Sequence, residues 1–295
     1  MNTQPRFHKV ETDGPVVIWK FQNPPRNLAT LETFLELVSL VEAFDKDPEL
    51  RVGIVTSATP GMFIQHFDVS VLLGWAEAMR ETSEEEIGRQ LAALPPPQGI
   101  GDITSKPVIC AINGPVEGGG SEMALGCDFR FISRDAFMGQ PEVTAGFIPG
   151  GGGTQRLARL VGVARAMELC MTGRRISAEE ADRLGLVTAA CEPEELMPTV
   201  MAFARDLAAK PPLAVVNIKK AIYQGSRIPL PGGLVLEREL FFECLRSDEA
   251  INIMRLYVAA GQDVEKMMAL VEEAGQDPEK IATLFTRGPG EGDKA

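Results

Sequence analysis

The chain has 295 residues, of which 45% are hydrophobic, and a formal net charge of −12 at pH 7. A chain of this length can bury a sizeable core together with a smaller appendage. The acidic balance argues against a nucleic-acid partner, because phosphates require a basic protein surface, and the lack of an uncharged apolar run of ~18 residues argues against a membrane-spanning segment.

The first half of the chain predicts strands that alternate with helices. The predicted strands are rich in β-branched or aromatic residues and cover residues 16–21, 52–58, 107–113 and 129–133. Residues 30–44 have apolar side chains at helical spacing, with Thr30 as the predicted N-cap. The apolar face is predicted to consist of Leu31, Phe34, Leu35, Val38 and Val41. This alternation indicates an α/β core.

The following segment, residues 74–101, is charged and helix-like and is then broken at Pro95–Pro97. From about residue 156 the chain is predicted to be mainly helical. Ser177 and Glu180 form the pattern of a capping box, and Gly185 marks the end of that helix.

Pro211–Pro212 marks a break before the C-terminal part of the chain. Helices are predicted from there to about Phe285, and residues 287–295 are expected to be frayed. We therefore divide the chain into a core of residues 1–210 and a helical C-terminal region of residues 211–295.

The reactive side chains indicate a reduced compartment and no metal site. The five cysteines are scattered without CxxC spacing, as expected for free thiols in the cytoplasm. The N-terminal sequence also lacks the apolar core of a signal peptide, so we predict a cytoplasmic location. The only histidines, His8 and His66, are too few for a histidine-rich metal site, and a Ser-His-Asp triad would have to use one of them.

The segment AINGPVEGGGSEMALGCD, residues 111–128, combines a predicted strand, a glycine triplet and a helix that carries Glu122. Glycines allow a ligand to approach the backbone closely, and amides at a helix N-terminus favour negative charge. An oxyanion site is built in this way. Taken alone, Glu122 fits a helix-capping acid as well as a catalytic one.

Two further segments carry related signals. Residues 139–157 contain Glu142, twenty positions after Glu122, and residues 61–69 form a turn that can supply another backbone amide. Gly150–Gly153 resembles a phosphate loop but lacks the lysine and hydroxyl residue that such a loop requires. Each signal is weak alone, and Glu142 by itself fits a surface acid.

Together these segments resemble the enoyl-CoA hydratase/isomerase family, also called the crotonase superfamily, over about residues 14–190. The resemblance rests on AINGPVEGGGSEMALGCDFRFIS, FMGQPEVTAGFIPGGGGTQRLARLVG and AMELCMTGRRISAEEADRLGLV, which follow one another in the expected order. It implies an α/β fold, a crotonase-like spiral of ββα units. Residues 1–210 would form the catalytic core, and residues 211–295 would form a helical trimerisation region.

The resemblance also implies a homotrimer, or a hexamer made of two trimers, that binds an acyl-CoA thioester. No metal or redox cofactor is implied, because coenzyme A is part of the substrate. Family members stabilise an enolate-like intermediate with two backbone amides, which correspond here to the N–H groups of Phe67 and Gly119. Hydratases use two glutamates, which correspond to Glu122 and Glu142.

This implied site predicts reversible addition of water across the α,β double bond of an acyl-CoA thioester. Two carboxyl groups close together in an apolar site cannot both ionise easily, so their titrations separate. We expect Glu122 to hold and activate water and Glu142 to supply the proton at Cα, although the two residues could share these tasks.

Several residues depart from the family pattern or stay open. Gln65, His66 and Phe67 stand where the family has small residues, which predicts a narrower or reshaped acyl pocket. His66 is either a substrate contact or a packed or exposed loop residue. Glu117 replaces an apolar residue and is either a solvated loop acid or a contact to an unusual substrate.

The remaining predicted substrate contacts are Gly118, Gly150 and Arg26. Arg26 lies in a segment, residues 23–32, that resembles the family loop meeting the nucleotide, and it could pair with a phosphate or simply be exposed. Residues 247–268 depart from the usual family ending, so no C-terminal contact to coenzyme A is predicted.

Three alternative functions remain at this point. A double-bond isomerase on the same scaffold needs only one well-placed carboxylate. An acyl-CoA hydrolase could involve His66. A non-catalytic binding protein is disfavoured because both glutamates are present.

Overall fold

A computed structural model describes residues 5–93 and 97–274. By its internal contacts the chain separates into two compact units, Met1–Lys210 and Pro211–Ala295. The functions predicted for these two parts, a catalytic core and a trimerisation region, stay predictions.

The first unit is built on two sheets. The strands are β1 (His8–Asp13), β2 (Val16–Phe21), β3 (Val52–Ser57), β4 (Val108–Ile112), β5 (Val116–Glu117), β6 (Phe129–Ser133), β7 (Phe137–Gly139), β8 (Arg175–Ser177) and β9 (Ala189–Cys191). The main sheet has the order β1-β2-β3-β4-β6-β9, and the small sheet has the order β5-β7-β8. Only β1–β2 and β7–β8 pair antiparallel.

Helices connect the strands of the first unit. They are α1 (Leu31–Lys46), α2 (Val69–Arg80), α3 (Glu84–Ala93), α4 (Ile100–Ile103), α5 (Gly118–Leu125), α6 (Gly153–Val161), α7 (Val163–Thr172), α8 (Ala178–Arg183) and α9 (Leu196–Ala208). A 3-10 helix covers Glu142–Ala145. The second unit contains α10 (Pro212–Gly225), α11 (Leu230–Leu245), α12 (Asp248–Ala259) and α13 (Val264–Ala274).

Both faces of the main sheet are buried except at the edge strand β1, which is largely exposed. Along β2, Val17 and Trp19 enter one hydrophobic core, while Val16 and Ile18 enter a second core. The second core also contains apolar residues of α9. Parallel strands are normally covered on both faces, and this explains why β2, β3, β4 and β6 consist mostly of apolar residues.

The four predicted strands are confirmed as β2, β3, β4 and β6. The helix predicted at 30–44 is α1, and the Thr30 side chain accepts a hydrogen bond from the Thr33 N–H as its N-cap. The breaks predicted near residues 95–97 and 211–212 differ in outcome. Pro95 and Pro96 lie outside the described residues, whereas α9 ends before Pro211 and α10 begins at Pro212.

The predicted apolar face of α1 is correct for Val41, which is buried, and for Phe34, which packs against the core, but it is wrong for Leu31 and Leu35. Leu31 and Leu35 are 52% and 56% exposed, and the buried residues are Thr33, Leu37, Val41 and Phe44. Residues two positions apart on a helix point in nearly opposite directions. Because Thr33 faces inward, Leu31 and Leu35 face solvent.

The capping box predicted at the start of α8 forms only in part. The Ser177 hydroxyl accepts a hydrogen bond from the Glu180 N–H, but the Glu180 carboxylate accepts hydrogen bonds from Arg174. Because Arg174 binds the Glu180 carboxylate, this carboxylate does not complete the capping box. The helix end predicted near Phe285 and the frayed residues 287–295 lie outside the described residues.

Candidate active site

The glycine triplet brings the start of α5 against the 61–69 loop. The Glu117 N–H donates a hydrogen bond to the Gln65 carbonyl at 2.7 Å. A Cβ atom on Gly119 would lie 2.9 Å from the Phe67 Cβ and 3.4 Å from the Phe67 backbone nitrogen. Only glycine allows this approach, which brings the backbone of Gly119 close to that of Phe67.

Both amides are available to a ligand. Gly119 lies in the first turn of α5, where N–H groups have no acceptor within the helix. The Ala29 N–H donates to the His66 carbonyl at 2.8 Å, and the Asp68 N–H donates to the Ala29 carbonyl at 2.7 Å. The Phe67 N–H takes part in neither of these two hydrogen bonds, and it has no hydrogen-bond acceptor among the described residues.

Glu122 is buried and held by the main chain of another segment. Its side chain projects from α5, and its Oε1 accepts hydrogen bonds from the N–H groups of Gly151 and Gly153 at 2.7 and 2.8 Å. A Cβ atom on Gly151 would lie 2.7 Å from Oε2. Burial raises the pKa of Glu122, although the two amides and the charge of Arg156 oppose that change.

Glu142 is the second buried acid of the site. It begins the 3-10 helix after β7, and its Oε1 lies 3.2 Å from the position of a Cβ atom on Gly118. Burial raises the pKa of Glu142 to about 7. A backbone hydrogen bond opposes this change, and the negative charges of Glu122 and Glu117 add to it.

Gln140 supports Glu142 from the end of β7. Its side chain is buried, and its amide nitrogen, when turned towards Glu142, lies 3.0 Å from Oε1 and 3.2 Å from Oε2. In that orientation the Gln140 amide can donate a hydrogen bond to the Glu142 carboxyl group.

The bulky residues of the 61–69 loop pack beside the amides. The Phe67 ring stacks on Phe34 with a centroid distance of 6.1 Å and lies 5.7 Å from the Trp75 ring. His66 is half-buried, and its Nδ1 lies 2.8 Å from the Phe67 carbonyl oxygen. The Phe67 side chain thus packs against aromatic residues of α1 and α2 while its N–H stays beside Gly119.

The other predicted contacts lie at different distances from the two acids. Gly118 adjoins Glu142, and Gly150 is exposed immediately before the Gly151 amide. Arg26 is exposed. It lies close enough to Asp68 to lower the pKa of that carboxylate, after the larger effect of hydrogen bonds from Ser70.

Glu117 is not a freely solvated acid. Its Oε1 lies 3.1 Å from Nε of Arg175, and the Glu117 side chain is 23% exposed. Sequence reasoning missed this arginine, and it missed Gln140 and the amide donors of Gly151 and Gly153. The glycine run at 150–153 was the available signal, but the backbone hydrogen bonds of a loop leave no side-chain pattern.

The profile of the enoyl-CoA hydratase/isomerase family matches residues 11–275. The chain belongs to this family. A short-chain-enoyl-CoA hydratase of Clostridium acetobutylicum is 35% identical over 251 residues, which cover 84% of this chain and 93% of that protein. A crotonyl-CoA hydratase of Syntrophomonas wolfei is 35% identical over 229 residues, which cover 77% and 85%.

Solved structures of the enoyl-CoA hydratase/isomerase family confirm the predicted fold. An enoyl-CoA hydratase from Bacillus anthracis matches with a TM-score of 0.72 and 32% identity, over 82% of this chain and 92% of that chain. A Geobacillus kaustophilus relative matches with a TM-score of 0.76 and 33% identity, over 87% and 96%. The crotonase-like α/β architecture is therefore established.

Within residues 5–93 and 97–274, no three histidine, cysteine or acidic side chains come together where they could hold a metal ion. In the same part of the chain, no helix combines the length and apolar character needed to cross a bilayer.

Proposed function

We propose that the protein adds water reversibly across the α,β double bond of an enoyl-CoA thioester. The observation that carries this proposal is the pair of buried glutamates, Glu122 and Glu142, next to two unused backbone amides. Membership of the enoyl-CoA hydratase/isomerase family supports the same reaction class.

In the proposed reaction, the N–H groups of Phe67 and Gly119 bind the thioester oxygen. Negative charge develops on that oxygen when water adds at Cβ and an enolate-like intermediate forms. Donors that are already oriented stabilise this charge without reorganisation, and each contributes about 3–4 kcal/mol. The close approach of Gly119 to Phe67 supports this assignment.

The two glutamates divide the proton transfers in this proposal. Two amides anchor Oε1 of Glu122, which leaves Oε2 to accept a hydrogen bond from water and then its proton. Glu142 has a pKa of about 7, so near neutral pH a large fraction carries the proton that Cα must receive. Matching the pKa to the working pH favours such general acid catalysis.

The test is hydration of crotonyl-CoA by the purified protein. Glu122→Gln and Glu142→Gln keep the size of each side chain but remove its acid–base function, so each variant should hydrate about 10²–10⁴ times more slowly. Loss of the conjugated-thioester absorbance gives the rate. Mass spectrometry then checks that the product has gained one water molecule.

Glu192→Gln is a matched control, because Glu192 is a surface acid whose side chain is 60% exposed. This variant should keep the parental rate, and circular dichroism should give the same spectrum for all variants. Parental rates in both active-site variants would reject the proposal. A product of unchanged mass with a displaced double bond would instead identify an isomerase.

We further propose that the protein acts in the cytoplasm as a homotrimer or a dimer of trimers, without a metal or redox cofactor. Proton transfer and charge stabilisation suffice for the reaction, so no redox group is needed. The second unit supports assembly because it exposes several large apolar side chains, namely Ile218, Ile222, Leu230, Leu234, Phe241 and Phe242.

A further inference from the structure

Glu117, Gly139 and Arg175 form a row across the small sheet. Gly139 of β7 is the direct partner of Glu117 on β5 and of Arg175 on β8. The central residue has no side chain, so the outer two meet across it, with 3.1 Å between Arg175 Nε and Glu117 Oε1. A Cβ atom on Gly139 would lie only 3.4 Å from the same carboxylate oxygen.

The Arg175 side chain makes a second contact besides the one with Glu117. Its guanidinium group also lies over the Phe137 ring, 4.2 Å from the ring centroid. The neighbouring Arg174 has its own acids, because it donates hydrogen bonds to Glu168 and Glu180. The Glu117–Arg175 pair is therefore a separate charge pair within the small sheet.

This pair adjoins the active-site acid. Glu117 is followed directly by Gly118, against which Glu142 Oε1 lies, and Glu142 comes three residues after Gly139. The charge of Glu117 contributes to the raised pKa of Glu142. The effect of the pair that we consider is therefore its charge acting on Glu142.

Other titratable groups also face Glu142. Glu122 faces it from α5 and raises its pKa. Cys170 faces it from α7, and burial together with both acids raises the pKa of that thiol. His66 faces it from the 61–69 loop, with Cβ 3.7 Å from the position of a Cβ atom on Gly118. Glu117 forms a direct ion pair with Arg175, whereas Arg156 acts on Glu122 through its charge.

We propose that the Glu117–Arg175 pair adjusts the pH range over which the buried Glu142 side chain holds its proton. This inference rests on the proposed hydratase function. The negative charge of Glu117 favours the acid form of Glu142, and Arg175 limits this effect by offsetting that charge. Both are positioning residues, because neither contacts the reacting atoms.

The proposal predicts that substitutions of Glu117 and of Arg175 change the proton affinity of Glu142 in opposite directions. Glu117→Gln removes a nearby negative charge, so the proton affinity of Glu142 should fall about threefold. Arg175→Gln leaves Glu117 uncompensated, so the proton affinity should rise, by a smaller factor because Arg175 is 64% exposed and screened by solvent. A merely structural role for the pair predicts no such opposition.

The measurement is a ¹³C NMR titration of the full-length protein labelled at glutamate Cδ. The Glu142 signal is assigned by its absence from Glu142→Gln, and its midpoint is compared among the parent, Glu117→Gln and Arg175→Gln. In parallel, the pH at which kcat falls on the alkaline side should move down in Glu117→Gln and up in Arg175→Gln. Unmoved midpoints, or shifts of equal sign, would overturn the inference.

Two controls keep the result interpretable. Arg205→Gln removes an arginine that is 62% exposed and pairs with Asp13, so it should leave the Glu142 midpoint unchanged. Glu117→Asp keeps the charge and should return the midpoint towards the parental value. If the parent titrates as expected but hydrates no enoyl-CoA, the proposed function fails, while the titrations still test the pair.

Discussion

Glu122 and Glu142 are the same residue type in one buried site, yet their surroundings give them different properties. Glu122 receives two backbone hydrogen bonds that offset part of the cost of its burial. Glu142 lies near two other acids and has a pKa of about 7. Both pKa values are raised mainly by burial, but different neighbours act on each carboxyl group.

The raised pKa of Glu142 predicts a pH-dependent stability. Between about 4.5 and 7 the folded state holds this proton while the unfolded state has lost it. The free energy of unfolding therefore falls as pH rises through that window. Glu142→Gln removes this penalty and should stabilise the protein at pH 8, by at most on the order of 3 kcal/mol.

Urea unfolding of the parent and Glu142→Gln at about pH 5 and pH 8 checks this prediction. The difference between the two proteins should be small at the lower pH and large at the higher pH. An equal difference at both values would show that Glu142 titrates normally in the folded protein.

At the residue scale, the sequence identified the two acids and the Gly119 and Phe67 amides as candidates through spacing and family resemblance. It could not identify what surrounds Glu117. Arg175 lies 58 positions away, and the two meet only because β5, β7 and β8 pair in one register. The residue pattern of a single segment does not show with which strand, or in which register, that segment pairs.

Among the elements, α5 determines whether the two amides converge. A Cβ atom on Gly120 would lie 2.1 Å from the Ile64 carbonyl oxygen, which belongs to the backbone of the 61–69 loop. Backbone atoms cannot move aside as a flexible side chain can. Gly120→Ala should therefore separate α5 from this loop and destabilise the protein by more than about 2 kcal/mol.

Gly74→Ala is the matched comparison for Gly120→Ala. Gly74 lies within α2, and no atom would lie within 4 Å of its added Cβ. Alanine in a helix interior should stabilise by up to about 1 kcal/mol. Chemical denaturation of both variants checks the pair, and equal stabilities would contradict the contact between Gly120 and Ile64.

Strands β2, β3, β4 and β6 were predictable because each is rich in apolar, β-branched or aromatic residues. Strands β5, β7, β8 and β9 have two or three residues each, too few to produce a periodic signal. The inward face of α1 was predicted only in part. The prediction grouped apolar residues, whereas the buried face of the helix includes the polar residue Thr33.

At the scale of the whole molecule, we predict that the first unit can fold alone. Both hydrophobic cores consist of residues that precede Lys210. A fragment of residues 1–210 should therefore unfold cooperatively in urea. It should sediment as a monomer, whereas the full chain should sediment as a trimer or hexamer, and a trimeric fragment would contradict the proposed assembly.

At this scale the fold was predictable from three ordered motifs, and the change of unit at residues 210–211 was indicated by adjacent prolines. The assembly was not predictable from residue patterns, since exposed apolar side chains indicate contact without indicating its symmetry. The family resemblance alone suggested trimers.

The anchoring of Glu122 by Gly151 and Gly153 has a consequence for protein engineering. The donors are main-chain N–H groups, which every amino acid except proline supplies, so the orientation of this carboxylate depends on the path of the loop. Nearby side chains such as Phe147 and Ile148 are exposed and take no part in that anchoring. Libraries that diversify Phe147 and Ile148 should therefore leave the orientation of the Glu122 carboxylate unchanged.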